Sequence, residues 1–116
     1  MNAIQIAEQF ITVRQQRNLV FGDDIAVLGE FGWIVLLDLF IRHRTGKTAS
    51  MHELCAANHI PLSTGMRTIK CLLDRDFIRQ EFMLGDQENT SLELSQETVL
   101  KLSDILAGSN QSTGLI

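Results

Sequence analysis

The stretch that most restricts this chain covers residues 50–82, which read as a short helix, a tight turn, a second helix and a strand. Ser50 followed three residues later by Glu53 is a capping-box pattern and predicts a helix beginning at Met51. Leu54 and Cys55 face inward on that helix. The run Asn58-His59-Ile60-Pro61 ends it, because a residue before proline is pushed out of the α region. Ser63 is a suitable N-cap for a second helix. On that helix Gly65, Thr68, Ile69 and Leu72 share one face at three- and four-residue spacing, so that Thr64, Arg67, Lys70 and Cys71 point away. Beyond Asp76 and Phe77, residues 78–82 alternate like an edge strand. A short helix, a tight turn and a second helix with small polar and basic residues near its start is the layout that fits a helix into the major groove of DNA.

The charge pattern agrees with that layout. The net charge of −4 argues at first against a nucleic-acid partner. Between Arg42 and Arg79, however, seven basic residues stand against three acids, while the rest of the chain holds three bases and eleven acids. All three histidines lie in the basic segment. A basic unit inside an acidic shell is the asymmetry of a protein that offers one face to phosphates and repels them elsewhere.

With 116 residues, 45% of them hydrophobic, the chain reads as one packed domain over residues 1–108 with a flexible tail at 109–116. The helix-turn-helix occupies 50–75 and a β wing 78–94. The longest apolar run, residues 31–41, is broken by Asp38 and falls short of the roughly 20 residues of a membrane span. The N-terminus lacks the basic start of a signal peptide. Cys55 and Cys71 read as reduced thiols of the helical unit. These features place the protein in the cytoplasm, away from membranes.

Flanking helices complete a mainly α (α+β) fold. Residues 3–17 form the first, with Ile4, Ala7, Phe10, Ile11 and Arg14 at helical spacing and Ile6 and Val13 widening the apolar face. Gly22-Asp23-Asp24 is a turn and helix start, the aspartates serving as caps. Residues 33–44 are the most apolar helix, and Arg42, His43 and Arg44 complement the dipole at its C-terminal end. Residues 47–49 form a short strand that pairs with the wing, whose second strand is 91–94. Ser95 caps the last helix, with Glu97 in its first turn and Val99, Leu102, Ile105 and Leu106 as its apolar stripe. The outer faces of the first and last helices, through Ile4, Ala7, Phe10, Ile11, Leu102 and Ile105, are expected to hold a homodimer together.

The order and spacing of several runs resemble the winged-helix regulators of the multiple antibiotic resistance regulator (MarR) type, in particular short standalone bacterial versions. The runs are residues 33–39; Ser50, Leu54 and Cys55; Ile60-Pro61, Thr64, Arg67, Ile69-Lys70 and Leu72; and Phe77-Ile78. The resemblance covers about residues 17–106. It implies a sequence-specific transcriptional regulator with residues 63–75 in the major groove of double-stranded DNA. Ser63, Thr64, Met66, Arg67, Lys70, Arg75 and Lys47 are then the candidate DNA contacts. The chain departs from the family at the wing. Related wings carry an aspartate followed by arginines that reach the minor groove or phosphates; this one keeps Asp86 but has no Lys or Arg between Met83 and Leu100. Glu88, or the Asn89-Thr90 pair, stands where arginine is expected.

No constellation for catalysis emerges. His52, Cys55 and His59 share a helix side, but three ligands along one helix do not converge on a tetrahedral ion. Cys71 has no group to orient a neighbouring histidine, and no glycine loop cradles a phosphate. Neither a metal nor a cofactor is expected. Two function classes remain: a DNA-binding regulator, or a winged helix used as an adaptor that meets a protein partner through its acidic wing. Met66 and Leu73 on either side of Lys70 suit the adaptor; the basic segment suits the regulator.

Overall fold

A computed structural model describes residues 2–83 and 86–114, with side chains for all of these except 82–89 and 108–114. The elements follow in the order α1 (Ala3–Phe21), α2 (Asp23–Arg44), α3 (Met51–Ala57), α4 (Leu62–Asp74), β1 (Ile78–Met83), β2 (Asp86–Leu94) and α5 (Gln96–Gly114). This is a winged helix-turn-helix with flanking helices at both ends.

Helix α1 opens on a capping box: Asn2 Oδ1 accepts from the Gln5 backbone N–H at 2.8 Å, and Gln5 Oε1 accepts from the Asn2 N–H at 3.1 Å. It runs to Phe21 rather than stopping at residue 17, because Val20 and Phe21 at its end bury against the core. The Phe21 ring meets Phe77 edge-on at 5.4 Å, which ties the end of α1 to the base of the wing.

Helix α2 begins at Asp23, ten residues before the apolar run at Trp33, with Asp23 and Asp24 in its first turn. It is two helical pieces joined at Gly29, whose φ of 72° and ψ of −170° interrupt the helix. A side chain there would be strained by the backbone alone, so glycine sets the kink. The kink explains why the stretch reads as mixed: Ile25 and Leu28 before it, and Val35, Leu36 and Leu39 after it, are all buried but not on one continuous stripe.

One leucine from each of five elements is buried in the common core: Leu36, Leu54, Leu72, Leu92 and Leu102. Each is worth about 1.5–3 kcal/mol of apolar burial. In the antiparallel wing Ile78 faces Leu94, and Gln80 faces Leu92. The expected third strand at residues 47–49 reduces to one bridge, Ala49 to Leu92, in which the Leu92 N–H donates to the Ala49 carbonyl at 2.7 Å. Ser95 Oγ accepts from the Thr98 N–H at 3.3 Å and so starts α5 as expected. The α5 backbone continues to Gly114, through the segment expected to be a tail. The segment contains no proline, and extending a nucleated helix is far easier than starting one. Among the described residues no helix is long and apolar enough to cross a membrane.

Candidate nucleic-acid interface

The geometry of the helix-turn-helix is set by three local devices. Ser50 and Glu53 form the reciprocal capping box at the start of α3, each bond at 3.2 Å. The turn closes with Asn58 as the C-cap of α3 and His59 at φ 54°, and the Ile60 N–H donates to the Cys55 carbonyl at 2.9 Å. Gly65 then lets α4 lie directly on α3: a Cβ there would collide with Cys55 Sγ. Burial pushes the Cys55 thiol above its usual range, so it stays protonated and serves as packing.

A half-buried polar network holds this unit on α2. Asp38 Oδ1 accepts from Arg42 Nε at 2.7 Å, and its other oxygen accepts from Asn58 Nδ2, also at 2.7 Å. Arg42 reaches on to the Thr48 carbonyl at 3.2 Å. Arg42 thus braces the loop before α3, a role more specific than complementing the α2 dipole. The i,i+4 spacing of Asp38 and Arg42 is visible in sequence; the contact of Asp38 with Asn58, twenty residues on, is not.

Helix α4 starts two residues earlier than a Ser63 cap requires, with Pro61 as N-cap and no side-chain capping bond. Proline lacks one of the N–H groups that a helix start leaves unpaired, its fixed φ suits helix entry, and its ψ of 138° places Pro61 just outside the helix. Ser63 is thereby released to the exposed surface. Gly65, Ile69 and Leu72 are buried as the spacing requires. On the opposite side Ser63, Arg67 and Lys70 are exposed, with no hydrogen-bond or ion-pair partner among the described residues. Met66 is 54% exposed beside them. Thr64 and Cys71, expected to point away, are half-buried and line a hollow of about 220 Å³ against Val27 and Leu28 of α2, with Arg67 at its rim.

The remaining candidates divide. Lys47 is exposed in the loop after α2, beside Glu93 at the base of the wing. Arg75, at the C-cap of α4, forms an ion pair with Asp24 of α2 at 3.6 Å and is not one of the free cations. Other arginines and lysines are also engaged: Arg44 over Phe40 and on Ser103 Oγ, Lys101 on Glu97. Arg17 lies over Trp33, where burial, with Arg14 adding to it, lowers its pKa from the ordinary value. These two arginines and Trp33 line a cleft of about 790 Å³ between α1 and the first piece of α2. The acidic wing tip, with Asp86, Glu88 and Asn89, lies outside the described side chains.

The expected dimer surface also divides. Ile4, Phe10 and Ile11 are 69%, 72% and 59% exposed, and Ala7 is exposed with them. Ile4, Ala7 and Ile11 lie across α1 from Val13 and Val20, which pack on the core, and Phe10 flanks Val13 one turn before it. Leu102 and Ile105 are corrected: at 0% and 1% exposure they belong to the core of this chain and offer nothing to a second copy. The apolar stripe of α5 faces inward because α5 packs chiefly along α1, with a smaller contact on α2. Among the described residues no three His, Cys, Asp or Glu side chains come together as a metal site.

No family model matches the sequence, and no curated protein matches it. Solved structures do match the fold. One is Staphylococcus aureus MarR in complex with salicylate and kanamycin, at 20% identity and a TM-score of 0.56, over 95% of this chain and 71% of that one. Another is wild-type Escherichia coli MarR in its apo form, at 14% identity and a TM-score of 0.53, over 94% of this chain and 76% of that one. The resemblance read from the spacing of the helix-turn-helix is thus a resemblance of the whole fold.

Proposed function

We propose that this chain, built on the MarR-type winged helix, is a DNA-binding transcriptional regulator that lays α4 in the major groove. The observation that carries the reading is the exposed face of α4. Ser63, Arg67 and Lys70 stand there without partners among the described residues, whereas Arg42, Arg44, Arg75 and Lys101 are occupied within the fold. Two unpaired cations on the second helix of a helix-turn-helix are placed for phosphates and base edges. Lys47 joins them as a phosphate contact.

The protein acts as a two-fold homodimer. One short helix with two cations binds weakly, and two copies one helical turn of DNA apart raise the affinity. The surface for the second copy is Ile4, Ala7, Phe10 and Ile11 on α1. Its thiols are free, in keeping with a cytoplasmic protein. Nothing in the reading calls for catalysis.

The test is a gel shift on the DNA upstream of its own coding region, with random duplex as competitor. Arg67→Ala is expected to weaken the specific complex by about 1–3 kcal/mol, the worth of a bidentate base contact. Unchanged binding by the folded variant refutes the assignment of Arg67. No retention of the wild-type protein on duplex DNA or heparin at low salt refutes DNA binding altogether. The adaptor reading, favoured by the exposed Met66, then takes its place.

A further inference from the structure

The start of α4 carries two exposed apolar side chains that neither the core nor electrostatics explains. Leu62 is 45% exposed and Met66 54% exposed. They stand one helical turn apart, and Lys70 continues the same i,i+4 row. Ser63 and Arg67 form the neighbouring row. The first two turns of the recognition helix therefore present an apolar edge and a polar edge side by side, and this is the part of such a helix that comes nearest the bases.

The major groove offers two kinds of feature. One is the pattern of hydrogen-bond donors and acceptors; the other is the 5-methyl group of thymine. An unbranched thioether and a leucine have nothing to exchange with the first. Pressed against polar base edges they would only strip water from them, which is unfavourable. Against a methyl group they bury apolar surface. We propose that Leu62 and Met66 are specificity-determining residues that read thymine methyl groups, while Arg67 reads the polar edge of the adjoining bases. This rests on the DNA-binding reading and deepens it, because it names the base class in the operator. Residues one turn apart are separated by about 6 Å along the helix axis, close to two base-pair rises of about 3.4 Å. Each half-site should thus contain two thymines about two base pairs apart, next to the base that Arg67 contacts.

The experiment selects duplexes from a random-sequence pool with the intact protein. It then replaces thymidine by deoxyuridine one position at a time in the selected duplex. That change removes one methyl group and leaves every hydrogen-bonding atom in place. The expected result is a loss of about fourfold in affinity at one or two positions of each half-site, the equivalent of one buried methyl group. Met66→Ala should bind the thymidine duplex more weakly and become indifferent to uracil at one of those positions. Met66→Leu should keep the discrimination. Lys70→Ala should lose affinity equally on both duplexes. Far-UV circular dichroism and the unfolding midpoint verify that the variants fold; Met66 is exposed enough for the alanine to be tolerated. Enrichment of a duplex whose uracil forms bind equally well overturns the inference and leaves the DNA-binding reading standing. Failure to enrich any duplex overturns both, and assigns Leu62 and Met66 to a protein partner.

Discussion

Replacing Gly65 by alanine tests the construction of the helix-turn-helix most directly. In an isolated helix the change stabilises by about 1 kcal/mol, because glycine is the poorer helix former. In this fold the new Cβ falls on Cys55 Sγ, with Ile60 Cγ2 at 3.7 Å on another side. Cys55 is only 6% exposed, so its sulfur has no solvent into which to swing. Overpacking of this kind costs about 1–3 kcal/mol. The net expectation for Gly65→Ala is a loss of up to about 2 kcal/mol. Unfolding a chain of this size changes entropy by about 0.24 kcal/mol per kelvin, so each kcal/mol lowers the melting temperature by about 4 °C. The decisive measurement is a double-mutant cycle by urea unfolding. Cys55→Ala alone should destabilise through the lost packing of its sulfur. In that background Gly65→Ala should become neutral or stabilising, because the atom it struck is gone and its helix propensity remains. Equal destabilisation by Gly65→Ala with and without Cys55 would refute the close approach of α3 and α4 as the reason for glycine.

Asp38→Ala removes the acceptor shared by Arg42 and Asn58, and should lower stability by about 1–3 kcal/mol in chemical unfolding because it strands two half-buried donors. Asn89→Arg supplies the cation that the wing sequence lacks; titrations at several salt concentrations should show tighter DNA binding and a slope of log K against log salt steeper by about one phosphate. Phe10→Glu places a charge on the exposed apolar side of α1 and should leave the protomer folded. If the homodimer forms there, the variant sediments as a monomer at tens of micromolar and loses affinity for a palindromic site; an unchanged dimer places the interface elsewhere.

Local signals carried most of the helix-turn-helix unit. The Ser50–Glu53 capping box, the proline after the turn and the Gly65-Ile69-Leu72 spacing each act within one or two helical turns, and each appears in the fold as read. Local signals misled where a backbone exception intervened. Gly29 breaks the periodicity of α2, so its first turns do not look like a continuation of the apolar helix. Ser63 looked like a cap because serine generally caps, but Pro61 two residues earlier already set the helix start.

By itself the sequence determined the winged-helix layout, the inward face of α4 and the concentration of positive charge around it. Those properties follow from periodicity, capping and composition, which need no knowledge of distant neighbours. Only the tertiary structure decided which charges and apolar faces remain available. Arg75 and Asp24, far apart in sequence, neutralise one another, and Asn58 joins Asp38 across α2 and α3. Leu102 and Ile105 read like Ile4 and Phe10, yet the first pair closes the core and the second pair stands in solvent. An apolar stripe states that a face avoids water; which surface covers it depends on the packing of every other element, and that information is not local to the stripe.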